Sequence, residues 1–550
     1  MTDDIELSFI DKIEVLKGPY SAWYGSGMGG SLRFISLHDP LKPFTAEARA
    51  SLGSFGLEKY IGKVGLSYPS GYLNIGLARI SGDGYRQNSS FSRNSVFVSG
   101  QKNRHYKLNY LFSYNNVKSQ TPSSVDESTF QNSPSSAAIN WLNTKGHKDY
   151  ERFLGGFKVE SPLAANFKNR FTCSGTIYDQ YEFRPFNILD DRALSANFVE
   201  SISYTQRSFS VSAGVEWLHE NYFWRILENT SFLEKQKSEE LRNQFNYFLN
   251  FEAKPLSSLT LSASCNINST RYRVSDLFRA DSTDYSGTYS NTFIISPQTG
   301  INYRYNHNLS LFASAGHGFS NPTVEESLTS QGFLNAALKP EQGWTFDLGI
   351  RSTLLSNTLW ADVSAYYIRL NDLLVTKRIS EAVFYGENAR RSTLRGIELS
   401  LKYKPSGFFQ AMVSASKSDN YFDEFTSDNR NFNNNTLPGI PDMNVHVDLE
   451  AYLFKKLQLN AIYTYTGKQY LNDENSRQTQ SWQTVNLRAA YTLRIFSKYE
   501  IRFIASVNNI FDEKYASMVL INAPSFSGNP PRYYYPALPR NFLFSLGLLL

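Results

Sequence analysis

Long apolar runs, cysteine and histidine are all scarce in this chain of 550 residues. It has no stretch of 18 or more consecutive apolar residues, which excludes helical membrane spans. Cys173 and Cys265 lie in separate strand-like segments, on the apolar side of each, so we do not expect a disulfide. The seven histidines and two cysteines show no metal-binding spacing. The net charge of +5 is small and the basic residues are scattered, which excludes a nucleic-acid-binding surface.

Catalytic motifs are also missing from the sequence. It contains no G-x-S-x-G elbow and no H-E-x-x-H helix. His317 and Ser320 lie three residues apart in a predicted loop, but no acidic partner is implied for them. We therefore expect no enzymatic activity.

The N-terminus lacks the features of a secretory signal. The first twelve residues, MTDDIELSFIDK, are acidic and have no basic start followed by an apolar core. The sequence as it stands therefore provides no signal for export.

Aromatic residues, by contrast, are abundant. The chain has 35 tyrosines and 40 phenylalanines at a mean hydropathy of −0.39, which suits strands with one apolar and one wet face. From Ala46 onward, segments of about ten residues alternate apolar and polar side chains, for example residues 259–268 (LTLSASCNIN) and 444–453 (NVHVDLEAYL). A half-buried strand of a soluble sandwich would alternate in the same way. However, about 22 such segments are too many for a sandwich.

We therefore predict an all-β chain that forms a 22-stranded antiparallel transmembrane β-barrel. The strand count must be even if the last strand ends on the side where the N-terminal segment enters. Residues 222–232 show no clean alternation, so we assign them to a loop. Short turns are predicted at 102–105, 306–308, 355–357, 405–407 and 454–456. Long loops are predicted at the other end, at 117–150, 180–194, 218–240, 272–291, 318–341, 371–391, 421–441 and 509–540.

The most distinctive stretch is residues 12–36, KIEVLKGPYSAWYGSGMGGSLRFIS. A short apolar run is broken by Gly18-Pro19, four glycines follow between residues 25 and 30, and a second apolar run begins at Leu32. A phosphate-binding loop would need a Gly-Lys-Ser/Thr ending, or G-x-G-x-x-G between a strand and a helix, and neither occurs. On local sequence alone, this is a glycine-rich turn between two strands.

This stretch resembles the end of the plug domain of TonB-dependent outer-membrane receptors. The matching elements are Ile13-Glu14-Val15, Lys17-Gly18-Pro19, Tyr24-Gly25, Gly29-Gly30 and Ile35-Ser36. Further strings similar to the family are GFSNPT (318–323), LKPE (338–341), WTFDLGIR (344–351), RGIEL (395–399), NNIFDEKY (508–515) and PRNF (539–542). The resemblance implies a C-terminal remnant of the plug domain over residues 1–41 and a transmembrane barrel over 42–550.

Two features depart from the family pattern. The last residue is Leu550, where the family usually ends on Phe or Trp. The resemblance also implies that this sequence lacks the signal, the TonB-contacting box and most of the plug.

The resemblance implies a function as well. A member of this family would lie in the outer membrane of a Gram-negative cell and import a ferric, siderophore-like chelate with energy from the inner-membrane TonB complex. Outer-membrane lipid and lipopolysaccharide are further implied partners. We expect a monomer with no nucleic-acid partner and no cofactor of its own, iron entering only as part of the chelate. Two alternatives stay open: a haem or cobalamin receptor of the same class, and a truncated passive barrel or pore without energy coupling.

The resemblance also suggests an ionic latch between plug and barrel. Alternation places Phe346, Leu348 and Ile350 on the apolar face of one segment, which puts Asp347 on the inner face. The same argument places Glu398 inside. Inward acids of the family pair with basic plug residues, so we predict a latch formed by Lys17, Arg33, Asp347 and Glu398. The alternative is that both acids only line a wet lumen.

Ligand contacts are expected from aromatic and basic residues of the outer loops and inner wall, because arginine forks and aromatic faces suit anionic chelates. The alternative is that these residues form interfacial girdles or bind lipopolysaccharide phosphates. The candidates are Tyr85, Arg86, Tyr181, Arg184, Tyr222, Trp224, Arg271, Arg273, Phe319, Arg378, Tyr385, Arg390 and Arg391.

Overall fold

The computed structural model describes residues 5–18, 25–36, 42–291, 293–323, 326, 335, 337–378, 384–454, 456–496, 498–525 and 528–550. Within these residues the chain forms an N-terminal hairpin and one closed antiparallel barrel. Pro19 and Tyr24 of the glycine-rich motif, and parts of the predicted loops 318–341 and 371–391, lie outside the described residues.

The N-terminal hairpin comprises residues 5–18 and 25–36. A single 3-10 turn, Leu7–Phe9, leads into strand β1 (Ile10–Lys17), which pairs with β2 (Gly30–Ser36). Gly30 closes the pairing at a φ of +128°, and a Cβ at this position would lie 2.2 Å from the carbonyl oxygen of Leu16. Only glycine allows so close an approach of two backbones.

The barrel is built from long strands joined mostly in sequence order. Its segments, with two short helices and the small loop strands between them, are β3 (Phe44–Gly53), β4 (Leu57–Tyr68), β5 (Gly71–Gly82), β6 (Phe91–Asn103), β7 (Lys107–Gln120), α1 (Glu127–Asn132), α2 (Ile139–Thr144), β8 (His147–Ala164), β9 (Phe167–Phe183), β10 (Ile188–Thr205), β11 (Phe209–Leu227), β12 (Glu234–Leu256), β13 (Leu259–Asp276), β14 (Gly287–Ser290), β15 (Ile294–Asn306), β16 (Leu309–Ser320), β17 (Glu341–Leu354), β18 (Leu359–Arg378), β19 (Phe384–Ser406), β20 (Phe409–Glu424), β21 (Thr426–Ser427), β22 (Arg430–Asn431), β23 (Met443–Leu453), β24 (Leu457–Thr466), β25 (Trp482–Ile495), β26 (Tyr499–Asn508), β27 (Ala516–Val519), β28 (Tyr534–Pro536) and β29 (Asn541–Leu549).

The barrel closes where β29 pairs with β26 on one side and with β3 on the other. β14 and β15 pair with successive parts of β13, so together they occupy one strand position in the barrel. With β21, β22, β27 and β28 confined to loop hairpins, the described residues form 22 strands around the barrel. This confirms the predicted fold class.

Alternation along the strands separates an apolar outer face from a polar lumen. In β17, Phe346, Leu348 and Ile350 are exposed on the outer face, as predicted, while Asp347 points inward. Aromatic rings continue across strands on that face, as in the stack of Phe198, Trp217 and Phe245. In the described part of the chain, no helix has the length and apolarity needed to cross a membrane.

The strands end differently at the two ends of the barrel. The predicted short turns fall between consecutive strands, within a residue or two of their predicted bounds. Three of the predicted long loops are wrong, because the strands run on far beyond the roughly 9–11 residues needed to cross a bilayer. The loop predicted at 180–194 shrinks to 184–187, the one at 218–240 to 228–233, and the strands bordering the loop predicted at 371–391 extend to Arg378 and from Phe384. Residues 222–227, assigned to a loop above, continue β11.

The longer outer loops pack against one another. One apolar cluster joins Val125 and Phe130 to Leu471 and Tyr534, and so ties together loops 121–146, 467–481 and 509–540. A second gathers Phe422, Phe425 and Phe432 around Val375 at the outer end of β18. This packing joins several of the longer loops at one end of the barrel.

Candidate functional site

The N-terminal hairpin lies inside the barrel and is anchored to its wall at both ends. At one end, the buried carboxylate of Glu6 accepts from Lys59 Nζ at 2.8 Å and from Arg93 Nη2 at 2.6 Å. Beside it, Phe9 packs on Ile61, Ala78 and Phe97 of the inner wall. Burial acts to raise the pKa of Glu6, but the hydrogen bond and charge of Lys59 outweigh it, so the pKa is lowered. The sequence offered no signal for this Glu6 anchor.

At the other end, the ammonium group of Lys17 contacts the carboxylate of Glu398 on β19. Asp347 lies next to this pair, accepts from Ser314 Oγ at 3.2 Å, and stands 3.3 Å from where a Cβ on Gly18 would be. The structure thus brings together three of the four predicted latch residues. Arg33 is not brought to this contact, because its guanidinium bonds to Glu14 within the hairpin at 3.0 Å.

The two anchors lie on opposite walls. β5, between the strands that carry Lys59 and Arg93, and β17, which carries Asp347, are half the barrel circumference apart. β1 has eight residues and spans roughly 26 Å at about 3.3 Å per residue. The hairpin therefore extends across the lumen from one wall of the barrel to the opposite wall.

The glycine-rich stretch of the motif passes close to a third part of the wall. Gly27 N–H donates to the carbonyl oxygen of Phe319 at 2.9 Å. Gly25 has a φ of +72°, and a Cβ there would lie 2.8 Å from Asn246 Nδ2. Asn246 Oδ1 in turn accepts from Asn268 Nδ2 at 2.8 Å, the start of a buried row of amides and hydroxyls. The glycines let the backbone lie directly on this polar wall.

A cavity of about 980 Å³ lies between the hairpin and the inner wall of β11 to β19. Hydroxyl side chains recur in its lining, with Ser212, Ser262, Ser264, Ser314, Thr345 and Ser364 among them. Lys17, Asp347 and Glu398 border the same space. The lumen beside the hairpin is therefore wet and rich in hydrogen-bonding groups.

On the extracellular side of the glycine stretch, the inner wall carries a cluster of aromatic and acidic side chains, which we call the lumenal cluster: Asp191, Tyr222, Trp224, Glu240 and Tyr272. Tyr222 donates to Asp191 Oδ2 at 3.2 Å and stacks on Trp224 with ring centroids 5.2 Å apart. Among the described residues, Asp191 Oδ1 and Glu240 Oε2 are buried and have no hydrogen-bond partner. Buried acceptors of this kind call for a donor.

A cation and one further ring complete the lumenal cluster. Arg242 Nη2 pairs with Glu240 at 3.0 Å, and its guanidinium lies over the ring of Tyr272 at 5.3 Å. Tyr272 stacks on Tyr289 at 4.6 Å. Tyr222 and Trp224 were predicted as ligand residues. Asp191, Glu240 and Tyr272 were not, because they meet only through the pairing of β10 to β13.

Three predicted ligand residues instead face the outside of the barrel. Arg271 and Arg273 are exposed on the outer face. The alternate residues of the same strand, Tyr272 and Val274, point into the barrel and are almost fully buried. Tyr181 lies on the outer face beside His147, with ring centroids 6.2 Å apart, while its neighbour Gln180 is buried inside. These positions were predicted from residue type, and strand parity excludes them from the lumen.

Other predicted residues are engaged in the outer loops. Arg86 is buried and donates to the carbonyl oxygens of Pro122, Ser123 and Ser136, so it holds loop 121–146 in place. Burial lowers the pKa of Arg86 to about 10, which leaves its side chain charged at neutral pH. The others lie at the rim or at strand ends: Tyr85 beside Phe55, Arg184 paired with Glu182, Arg390 paired with Glu424, Phe319 fully buried, and Arg378, Tyr385 and Arg391 on the outer ends of β18 and β19.

No group of three or more His, Cys, Asp or Glu side chains in the described ranges is arranged to hold a metal ion. Cys173 and Cys265 are both free thiols. The chemistry offered by the lumen is therefore hydrogen bonding, ring stacking and charge.

A closed 22-stranded barrel with short turns at one end, long strands at the other and a hairpin across its lumen defines a large outer-membrane receptor barrel. The chain belongs to the family of TonB dependent receptor-like β-barrels, whose family model matches residues 48–510. It is a TonB-dependent receptor of the Gram-negative outer membrane. This confirms the family resemblance and the localisation predicted from the sequence.

Individual proteins are similar over nearly the whole chain. The vitamin B12 transporter BtuB of Photobacterium profundum is 23% identical over 543 residues, which is 94% of this chain and 78% of that protein. The unliganded ferric citrate transporter FecA superposes with a TM-score of 0.81 at 14% identity, covering 100% of this chain and 85% of that one. The closed form of the ferric-catecholate import receptor Fiu from E. coli K12 gives 0.79 at 12% identity, covering 98% and 86%.

Proposed function

We propose that this receptor binds a metal chelate between its outer rim and the N-terminal hairpin and imports it with energy supplied through TonB. A ferric chelate is the first candidate cargo. Iron enters only as part of that cargo, and the protein has no cofactor of its own. The observation that carries this proposal is the lumenal cluster, which lies directly on the extracellular side of a hairpin that crosses the lumen.

The lumenal cluster offers complementary contacts to such a cargo. Tyr222, which is half-buried and stacks on the buried Trp224, offers ring surface to aromatic or conjugated groups. The unpartnered oxygens of Asp191 and Glu240 accept from amide or hydroxyl groups of the cargo. The hairpin then has to move before the cargo can pass, which is the step that TonB would drive.

Cobalamin is the second candidate cargo, and one observation favours it. The sequence relatives at 23% identity are vitamin B12 transporters, whereas the ferric-chelate receptors are similar in fold at 12–14% identity. Cobalamin also carries several amide donors that would satisfy the buried carboxylate oxygens of the lumenal cluster.

Equilibrium binding to the purified receptor tests both candidates. Ferric catecholate, ferric hydroxamate and cyanocobalamin are titrated separately, with the fluorescence of Trp224 as the readout and Trp224→Phe to identify its signal. We expect one of them to bind, and Asp191→Asn to weaken it about tenfold, the usual effect of losing one hydrogen bond to a charged group. Arg430→Gln, which removes an exposed rim charge that is not among the ligand candidates, is the matched control.

The opposing result is equally specific. Failure of every compound to bind, together with a steady conductance in planar bilayers that Glu398→Lys does not alter, would indicate a passive pore instead of a receptor.

A further inference from the structure

A row of polar side chains runs along the inner wall beside the glycine stretch of the hairpin (residues 25–30). We call it the amide row, and its members are Asn246, Asn268, Thr270, Asn291 and Asn321. Asn268 is fully buried, donates from Nδ2 to Asn246 Oδ1 at 2.8 Å, and accepts at Oδ1 from Thr270 Oγ1 at 3.1 Å. Asn321 Nδ2 donates to Thr270 Oγ1 at 3.0 Å. The row is therefore one continuous chain of hydrogen bonds.

Both ends of the amide row meet the glycine stretch. At one end, Gly25 lies so close to Asn246 that a Cβ would stand 2.8 Å from its Nδ2. At the other end, Asn321 N–H donates to Ser26 Oγ at 3.4 Å. Asn115 of β7 is also buried, but it bonds to serine hydroxyls of the barrel wall. The amide row is therefore placed to hold the glycine stretch against the wall.

Asn291 stands where the barrel wall is interrupted. β14 pairs with residues 271–274 of β13 and β15 pairs with residues 259–268. In the described part of the chain, residues 269–270 thus have no strand partner on that side. Asn291 fills the gap, because its Oδ1 accepts from Thr270 N–H at 2.6 Å and its own N–H donates to Thr270 O at 3.0 Å. One residue therefore takes the place of the missing strand.

β14 connects the amide row with the lumenal cluster. Asn291, which directly follows this strand, donates from Nδ2 to Asn321 Oδ1 at 3.1 Å and to Asn268 Oδ1 at 3.4 Å. Tyr289, two residues earlier, is buried and stacks on Tyr272 of the lumenal cluster with ring centroids 4.6 Å apart. A shift of β14 that follows cargo binding at Tyr272 would therefore displace Asn291.

We propose that Asn268 and Asn291 are positioning residues that hold the glycine stretch against the wall and couple its position to β14. Networks of hydrogen bonds carry such coupling when they join elements that have two arrangements. When β14 moves, Asn291 leaves the gap in the wall and the amide row releases the glycine stretch. This rests on the proposed import function, which requires the hairpin to move, and it names the route from the lumenal cluster to the hairpin.

Hydrogen exchange of the intact receptor, with no cargo present, tests the proposal. The readout is the exchange rate of the peptide that covers residues 25–30. We expect Asn291→Ala to speed this exchange about fivefold, the effect of losing one hydrogen bond, and to leave β1 near Ile10 unchanged. Asn115→Ala, which removes a buried amide from another part of the wall, is the matched control and should leave residues 25–30 unchanged.

A double-mutant cycle separates coupling from a local effect. Tyr289→Ala alone should speed the exchange of residues 25–30 at least about twofold, because the stacking that holds β14 is lost. In the Asn291→Ala background, Tyr289→Ala should add nothing. Asn291→Asp accepts from Thr270 N–H but cannot donate to Asn321, so it provides the same test if the alanine variant does not fold.

Two results would overturn the proposal. The first is exchange of residues 25–30 that neither substitution of Asn291 changes. The second is independent effects of the Tyr289 and Asn291 substitutions, whose fold-changes would then multiply in the double variant. Because no cargo is used, either result would leave the binding test of the proposed function unaffected, and a failure of cargo binding would not alter these exchange rates.

Discussion

Lys17 and Glu398 are 381 residues apart in the chain and form an ion pair inside the barrel, at its wall. Lys17 belongs to the N-terminal hairpin and Glu398 to the inner face of β19, so this contact joins the two parts of the molecule. Together with the Glu6 anchor on the opposite wall, it holds the hairpin across the lumen.

Charge reversal at Glu398 should loosen only the Lys17 end of the hairpin. The side chain of Lys17 is 62% exposed, so water screens the pair, and we expect Glu398→Lys to cost the docked hairpin no more than about 1 kcal/mol. Amide hydrogen exchange in β1 should become faster near Lys17 and stay unchanged near Ile10. Arg33→Gln, which breaks a pair inside the hairpin, is the control. Unchanged exchange near Lys17 in the Glu398 variant would show that this ion pair does not hold the hairpin.

Neutralisation of Glu6 should have a larger effect, because its carboxylate is buried between two cations. We expect Glu6→Gln to cost about 1.5–3 kcal/mol of hairpin docking, the usual value for hydrogen bonds to charged groups. Limited proteolysis should then cleave the hairpin faster than in Glu14→Gln, whose acid pairs only within the hairpin. Equal cleavage of the two variants would mean that the packing of Phe9 and the hydrogen bond from Lys63 Nζ to Ser8 O hold this end.

The Glu6 anchor also predicts a dependence on acid. The pKa of Glu6 is lower in the docked hairpin than its ordinary value of 4.5, so its contribution to docking is complete above that pH. The contribution falls as the pH drops through the lowered pKa, because the protonated acid no longer pairs with Lys59 and Arg93. Proteolysis at a series of pH values should show the hairpin released only below about pH 4.5. In Glu6→Gln, cleavage of the hairpin should no longer increase over this pH range. An increase that persists in this variant would show that another group titrates.

Glycine at position 30 should be essential to the hairpin, whereas glycine at position 29 should not. An alanine Cβ at Gly30 would press on the carbonyl oxygen of Leu16 at a strained φ, so Gly30→Ala should cost at least about 1–3 kcal/mol. A Cβ at Gly29 meets no heavy atom within 4 Å, which makes Gly29→Ala the matched control. Hydrogen exchange of the β1–β2 pairing measures both. Similar protection in the two variants would show that the hairpin tolerates a shift at this point.

Alternation was enough to predict the barrel from the sequence, because each strand exposes one face to lipid and the other to water and so imposes a period of two. The same parity correctly placed Asp347 and Glu398 inside. It would also have placed Tyr181, Arg271 and Arg273 outside, had the ligand candidates been chosen by parity instead of residue type. Strand length was underestimated. The strand ends beyond the membrane lie in water and carry polar residues, and such residues are also typical of loops.

The sequence by itself determined the barrel, the inward acids and the glycine-rich hairpin, because these depend on short-range patterns and on a local need for glycine. Only the tertiary structure decided that Glu6 lies between Lys59 and Arg93, and that Asp191, Tyr222 and Glu240 meet on one wall. These contacts depend on strand register and on barrel closure. Both are long-range properties, and a shift of one residue in register would turn every side chain to the other face.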